Sequence, residues 1–264
     1  MSNKREMFFP VHEIMSEVNE VLEKEIFFDV ITIVGEGEPT LYAGLGELIS
    51  QIKAKTNKPV AVITNGALLY DEELRQELSQ ADIVMPSFDA YDEELWKKIN
   101  RPFGTIDFAK VIEGLVTFSQ EYQGQLWLEI MFMAGINDGD EALLKFRQAL
   151  KKMKYSRLYL NTTVRPPAEA EVRAVSYEKM NKISAFLGGI SIDLLVSKGF
   201  HSEIEDDYKA IISIIKRHPM NQFEIKSFLS SRNCKRINCI MDKLDCTENI
   251  NIIKYRGFNT YRLK

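Results

Sequence analysis

Phe27-Phe28-Asp29-Val30-Ile31-Thr32-Ile33-Val34-Gly35-Glu36-Gly37-Glu38-Pro39-Thr40-Leu41-Tyr42 decides the fold. Its first half is apolar and rich in β-branched residues, the composition of a buried strand. Its second half places two glycines and two carboxylates within four residues, just past the strand. Glycine lets a backbone bend and lets a ligand approach where a Cβ would stand. In parallel sheets and barrels the C-terminal strand ends are where ligands bind. The plain alternative is a strand-to-helix turn whose acids are solvated.

The pattern repeats along the chain. Val11, Ile14, Met15, Val18, Val21 and Leu22 recur at helical spacing, which predicts a helix over 10–24. Strands are expected at 28–34, 59–64, 82–89, 126–133, 157–161 and 190–196. Helices are expected at about 43–56, 71–79, 91–99, 105–121, 139–153 and 176–187, with Asp71 and Asp138 as caps. Strands alternating with helices imply right-handed βαβ units and a mainly parallel sheet. Polar residues recur at or near the strand ends: Glu36 and Glu38, Asn65, Ser87 and Asp89, Glu129, and Asn161. Together they predict a polar face at one end of the sheet. Singly, each has a structural reading. Glu129 sits among apolar neighbours and can point to solvent, Ser87 and Asp89 can cap the next helix, and Asn65 can satisfy a left-handed turn.

The 264 residues are 45% hydrophobic and 27% charged, the composition of a globular protein. No apolar run reaches the roughly 18 residues of a membrane span, and no signal-peptide pattern follows Met1, so the expectation is a cytoplasmic protein without a membrane partner. Charge is uneven. From Lys216 to Lys264 there are 11 basic and 4 acidic residues, against 23 basic and 34 acidic in the remainder. A basic tail on an acidic body predicts two domains, 1–198 and 203–264, the second able to face a polyanion. In the tail, helices over about 203–217, 221–229 and 234–245 precede strands at 249–255 and 259–263. Asn221 and Glu224 have the form of a capping box. That order is a winged helix-turn-helix. Lys235, Arg236, Lys243 and Arg256 are the candidate phosphate contacts; the alternative is a solvated basic face.

With the strand ends laid out, the body resembles the radical SAM superfamily. The residues that carry the resemblance are Gly35-Glu36-Gly37-Glu38-Pro39-Thr40-Leu41, Thr64-Asn65-Gly66, Ser87-Phe88-Asp89-Ala90 and Trp96-Lys97-Lys98-Ile99-Asn100-Arg101-Pro102. The chain is most similar to the Fe–S oxidoreductase group that resembles wyosine-type tRNA-modifying enzymes and carries a C-terminal winged helix. The resemblance implies a partial (β/α)6, TIM-like barrel. It also implies S-adenosylmethionine (SAM) as cofactor, cleaved to a 5′-deoxyadenosyl radical by an electron from a [4Fe–4S] cluster. Gly35, Glu36, Gly37 and Glu38 would then edge the site, with Gly37 and Glu38 on the methionine ammonium. Ser87, Asp89 and Glu129 would face the ribose or methionine, and Asn65 and Asn161 would add polar contacts.

One departure qualifies this. The superfamily's Cys-x3-Cys-x2-Cys loop follows a first strand that would precede the helix at 10–24. The three cysteines of this sequence, Cys234, Cys239 and Cys246, all lie in the tail. The expectation is a barrel without its first strand that does not itself hold the [4Fe–4S] cluster. The chain is then either part of a longer enzyme or a relative that keeps the scaffold for binding nucleic acid or another partner. An unpaired strand edge invites a homodimer or a disordered N-terminus.

Overall fold

The computed structural model describes residues 4–24, 27–35, 37–163, 166, 167, 169, 171–192, 200, 202–216, 218–255 and 257–264. The chain divides into two compact units: Met1–Thr162 with Ala174–Ile192, and Thr163–Arg173 with Asp193–Lys264.

The first unit alternates helices and strands as its hydrophobic periods predict. α1 (Val11–Leu22) and β1 (Ile31–Ile33) are followed by a 3-10 turn (Pro39–Leu41), α2 (Leu45–Lys55), β2 (Val60–Thr64), α3 (Glu72–Leu78) and β3 (Ile83–Pro86). Then come α4 (Glu93–Asn100), α5 (Phe108–Glu121), β4 (Gln125–Phe132), α6 (Asp140–Leu150), β5 (Arg157–Thr162), α7 (Tyr177–Leu187) and β6 (Ile190–Ser191). The six strands pair in chain order, every pair parallel. This is a partial, TIM-like barrel. β1 spans only three of the residues expected to be extended, and Asp193–Val196 of the last expected strand lie outside the described residues.

Helix starts follow their capping residues. Asp71, Asp92, Asp107 and Ser176 each accept a backbone N–H in the first turn of the helix that follows. Asp138 does not cap α6, contrary to expectation, because Gly139 holds that position. The buried Asp138 carboxylate instead accepts from Gly135 N at 2.8 Å and pairs with Lys179 Nζ at 2.6 Å. Ser87 and Asp89 do not cap α4 either; Asp92 does.

Register sorts the strand residues onto two faces. Ile31, Val60, Val62, Val84, Leu126, Leu128, Ile130, Phe132, Leu158 and Leu160 pack with helix residues such as Leu45, Ile49, Leu115, Phe118, Phe146 and Ile183 in one core. The alternate residues turn to the concave face and are less buried: on β4 and β5 every second position is half-buried or, at the first residue of each strand, exposed.

N-terminal residues dock beside the glycine turn rather than on β1. Glu6 bridges Tyr42 in parallel, while Arg5 donates to the Thr40 and Tyr42 carbonyls and to both Glu77 carboxylate oxygens. Among the described residues β1 therefore has a partner on one side only.

The second unit contains α8 (Asp207–Ile215), β7 (Met220–Asn221), α9 (Gln222–Ser231), α10 (Ile237–Asp245), β8 (Ile250–Tyr255) and β9 (Phe258–Leu263). Its strands form an antiparallel sheet ordered β7-β9-β8. The capping box is present. Asn221 Oδ1 accepts from Phe223 N and Glu224 N, and Glu224 Oε2 accepts from Asn221 N. Ile211, Met220, Ile225, Leu229, Leu244 and Tyr261 form a separate core. Among the described residues no helix is long and apolar enough to cross a membrane.

Candidate functional site at the C-terminal strand ends

The parallel sheet brings its strand ends to one rim, and the register fixes which residues meet there. Ser87, one residue past β3, bridges Glu129 of β4. Glu129 lies opposite Tyr159 of β5, and Met131 opposite Asn161. Alternation then puts Ser87, Glu129 and Asn161 on the concave face. Glu129 Oε1 accepts from Asn161 Nδ2 at 3.1 Å, and Asn161 Oδ1 accepts from Thr162 N at 2.8 Å. Glu129 thus points into the concavity, held by the neighbouring strand.

Asp89 follows Ser87 by two residues. Its Oδ1 accepts from Met131 N at 2.8 Å, and its Oδ2 is 3.5 Å from Asn100 Nδ2. Burial pushes its carboxyl up to about 6 and the nearby Glu129 charge adds to the rise, against the pull of the Met131 amide and Asn100. Two half-buried carboxylates close together on the concave face are suited to a cation or to hydroxyl donors.

The glycine turn closes the rim beyond β1. Glu38 is not a free acid. Its Oε1 accepts from Thr40 N at 3.0 Å, Thr40 Oγ1 at 2.7 Å and Thr64 Oγ1, and its Oε2 accepts from Asn65 N at 2.7 Å. It caps the 3-10 turn and ties that turn to the end of β2. Only its second oxygen keeps acceptor capacity for a ligand. Among the described residues, nothing stands within 4 Å of where a Cβ on Gly37 would be. A Cβ on Gly35 would meet the Gly37 carbonyl at 3.3 Å. Glu36 lies outside the described residues.

Asn65 is exposed and uses its Oδ1 to accept from Ala67 N at 2.9 Å, an Asx turn. The left-handed residue of that turn is Gly66, with φ of 71°. Asn65 is therefore a turn residue whose amide NH2 remains for a ligand.

Two residues of the rim were not among the expected site residues, although Thr64 stood in a motif that carries the resemblance. Thr64 is buried and anchors Glu38. Asn137 is fully buried and joins the ends of β3 and β4. Its Oδ1 accepts from Met133 N at 2.7 Å, and its Nδ2 donates to the carbonyls of Met131 at 2.9 Å and Asp89 at 3.2 Å. The only signal for Asn137 was a polar Asn-Asp pair soon after an apolar strand.

In the second unit, Lys235 and Arg236 are exposed at the start of α10. Lys243 is committed elsewhere: its ammonium lies over the Tyr208 ring, 3.9 Å from the centroid. Arg256 lies outside the described residues. The cysteines are all in this unit, Cys239 and Cys246 exposed and Cys234 half-buried, so the barrel's own side chains include no thiolate.

Comparison with known proteins gives a consistent picture. Residues 2–147 match the family model of the radical SAM superfamily. A UPF0026 protein of Methanocaldococcus jannaschii is 32% identical over 241 residues, covering 87% of this chain and 74% of that protein. A Brachyspira hyodysenteriae protein named GTPase Obg is 36% identical over 219 residues, 80% of this chain but 32% of that protein. The chain thus spans about a third of that relative's length. Among solved structures, a radical SAM methyltransferase from Sphaerobacter thermophilus is 17% identical, with a TM-score of 0.53 over 69% of this chain and 55% of that one. SuiB of Streptococcus suis, solved with S-adenosylmethionine bound, is 12% identical, with a TM-score of 0.51 over 67% of this chain and 40% of that one. At these identities the two structures speak for the fold.

Proposed function

The chain belongs to the radical SAM superfamily, and from that membership we propose that the rim formed by Gly37, Glu38, Ser87, Asp89, Glu129 and Asn161 binds S-adenosylmethionine. The observation that carries the reading is the pair Asp89 and Glu129, two carboxylates held near each other, one just past β3 and one within β4, and facing the same concavity. SAM carries an ammonium, a sulfonium and a ribose diol, and each is satisfied by acceptors of this kind. Gly37 leaves room for the methionine end to approach the backbone, and Glu38 Oε2 and the Gly37 carbonyl would accept from its ammonium. Glu129 and Ser87 would accept from the ribose hydroxyls.

SAM bound in this superfamily is a source of a carbon-centred radical once an electron reaches it. The [4Fe–4S] cluster that delivers the electron needs thiolates, and the barrel residues of this chain include none. Cys234, Cys239 and Cys246 do not fit it: Cys234 is half-buried beside Asp207, Cys239 lies on α10, and Cys246 follows its last residue. No electron-transfer step is therefore assigned to this chain. Its residues bind and orient the cofactor.

Isothermal titration with SAM tests the reading. Saturable binding that weakens at least tenfold in Glu129→Gln supports it. No binding to the folded chain, or binding indifferent to Glu129→Gln, sinks it.

A second reading concerns the second unit, whose elements follow the order of a winged helix-turn-helix. Lys235 and Arg236 stand exposed where that motif's recognition helix begins, which favours contact with nucleic-acid phosphates. The one-sided pairing of β1, beside the exposed Val34, likewise favours a homodimer through that edge.

A further inference from the structure

One row below the proposed cofactor rim, the concave face carries a group that SAM binding does not use. Trp127 of β4 lies opposite Arg157 of β5. They sit two residues before Glu129 and Tyr159, about 7 Å down the strands. The Arg157 guanidinium lies over the Trp127 ring, 4.7 Å from its centroid. Arg157 Nη1 donates to the Tyr159 hydroxyl at 3.0 Å. The Trp127 and Tyr159 rings meet edge to face with centroids 5.7 Å apart. Trp127 Nε1 donates to Gln125 Oε1 at 3.1 Å, which fixes the indole. Each side chain is thus oriented by the other two or by a direct hydrogen bond.

Mutual packing alone is one account of such a trio. Two features argue for more. Arg157 remains exposed, and no carboxylate among the described residues pairs with it, so its guanidinium keeps N–H donors for an incoming anion. An apolar side chain at 157 would cover the indole equally well. The flanking concave positions are apolar as well: Met85 is half-buried and Ile190 is 51% exposed.

A guanidinium presents coplanar N–H donors that match a carboxylate in two parallel bonds, and stacking on an indole holds that plane still. The aromatic edges beside it favour a flat body over a branched one. We infer that Arg157, Trp127 and Tyr159 form a substrate subsite for a planar aromatic or heteroaromatic carboxylate, seated in the barrel beneath the cofactor rim. The inference rests on the SAM reading, which makes the concave face a reaction chamber.

Benzoate is the probe. Titrated into the full chain, it shifts the Trp127 indole N–H resonance saturably while the buried Trp96 resonance stays in place. Arg157→Gln weakens that binding at least tenfold, and Arg157→Lys weakens it less. Cyclohexanecarboxylate, with the same charge and a puckered ring, binds several-fold more weakly than benzoate. The subsite is overturned by the absence of a saturable Trp127 shift, by an unchanged titration in folded Arg157→Gln, or by inorganic phosphate binding as tightly as benzoate. SAM titration of the same proteins keeps the two ideas apart. Arg157→Gln that loses benzoate but keeps SAM supports the subsite, while a wild-type chain that binds benzoate and not SAM overturns the cofactor reading alone.

Discussion

Asp89 is the residue at which burial, charge and function pull in different directions. Its carboxyl sits at about 6, above an ordinary value of 3.8, mainly because burial disfavours the charge. Between those values the folded chain binds more protons than the unfolded one. Stability therefore falls as pH rises through about 4 to 6, and the full cost remains above that window. Asp89→Asn removes the charge, so urea unfolding is expected to show it more stable than wild type at pH 7 by about 1–3 kcal/mol, with the gain gone near pH 4. A cationic cofactor acts the other way, because it favours the ionised carboxylate. SAM affinity is expected to rise from pH 5 to 7 in the wild-type chain and to stay flat in Asp89→Asn, measured by calorimetry. A rising profile in the variant would remove Asp89 from the site. Asp89 stood out in the sequence as the last residue of the expected strand 82–89, although β3 itself stops at Pro86. Asn137 was not, since its value lies in three bonds that reach two strand ends at once. Glu129 was ambiguous between solvent and site, and only the register against Ser87 and Tyr159 turns it inward.

At the scale of elements, the glycines separate fold from site. Gly114 lies in α5, and a Cβ there would stand 2.3 Å from Tyr70 N and 2.5 Å from Leu69 C. Backbone atoms of the β2–α3 connection cannot yield as a side chain can, so α5 packs there because residue 114 has none. Gly114→Ala is expected to destabilise the first unit by about 3 kcal/mol or more, read from the urea midpoint. Gly37 gives the opposite expectation. Among the described residues, a Cβ there meets nothing within 4 Å. Gly37→Ala should leave stability within about 0.5 kcal/mol of wild type and reduce SAM affinity severalfold, because the methyl fills the approach to the backbone. Equal SAM affinity in the two proteins would return the turn to its plain reading. The helices and most strands were legible because their periods and caps are local. β1 was overestimated: Phe28, Asp29, Val30 and Val34 have strand composition, but β2 pairs with only Ile31–Ile33. Composition does not report where the partner strand stops.

For the whole molecule, charge is the property that the sequence displayed most openly. The segment Lys216–Lys264 carries 11 basic against 4 acidic residues, while the rest of the chain is acidic. The structure narrows what that surplus can do. Arg232 is spent on Asp207 and on the carbonyls of Ser202, Ile204 and Glu205, and Lys243 is spent on Tyr208. Those commitments were invisible in a charge count, because they depend on α8 and the segment before it folding onto α9 and α10. Lys235 and Arg236 remain at the start of α10, but Asp242 and Asp245 follow on the same helix. A contact through two phosphates is therefore expected to be weak and steeply dependent on salt. With about two counterions released, affinity should fall roughly tenfold between 50 and 200 mM salt. Fluorescence anisotropy with a labelled duplex measures both the slope and its origin: the Lys235→Glu, Arg236→Glu double variant should abolish the signal at every salt concentration while the fold persists. Binding that ignores salt, or that survives the double variant, would mean that the basic surplus of this unit is a solvated face and that its partner, if it has one, is recognised by other chemistry.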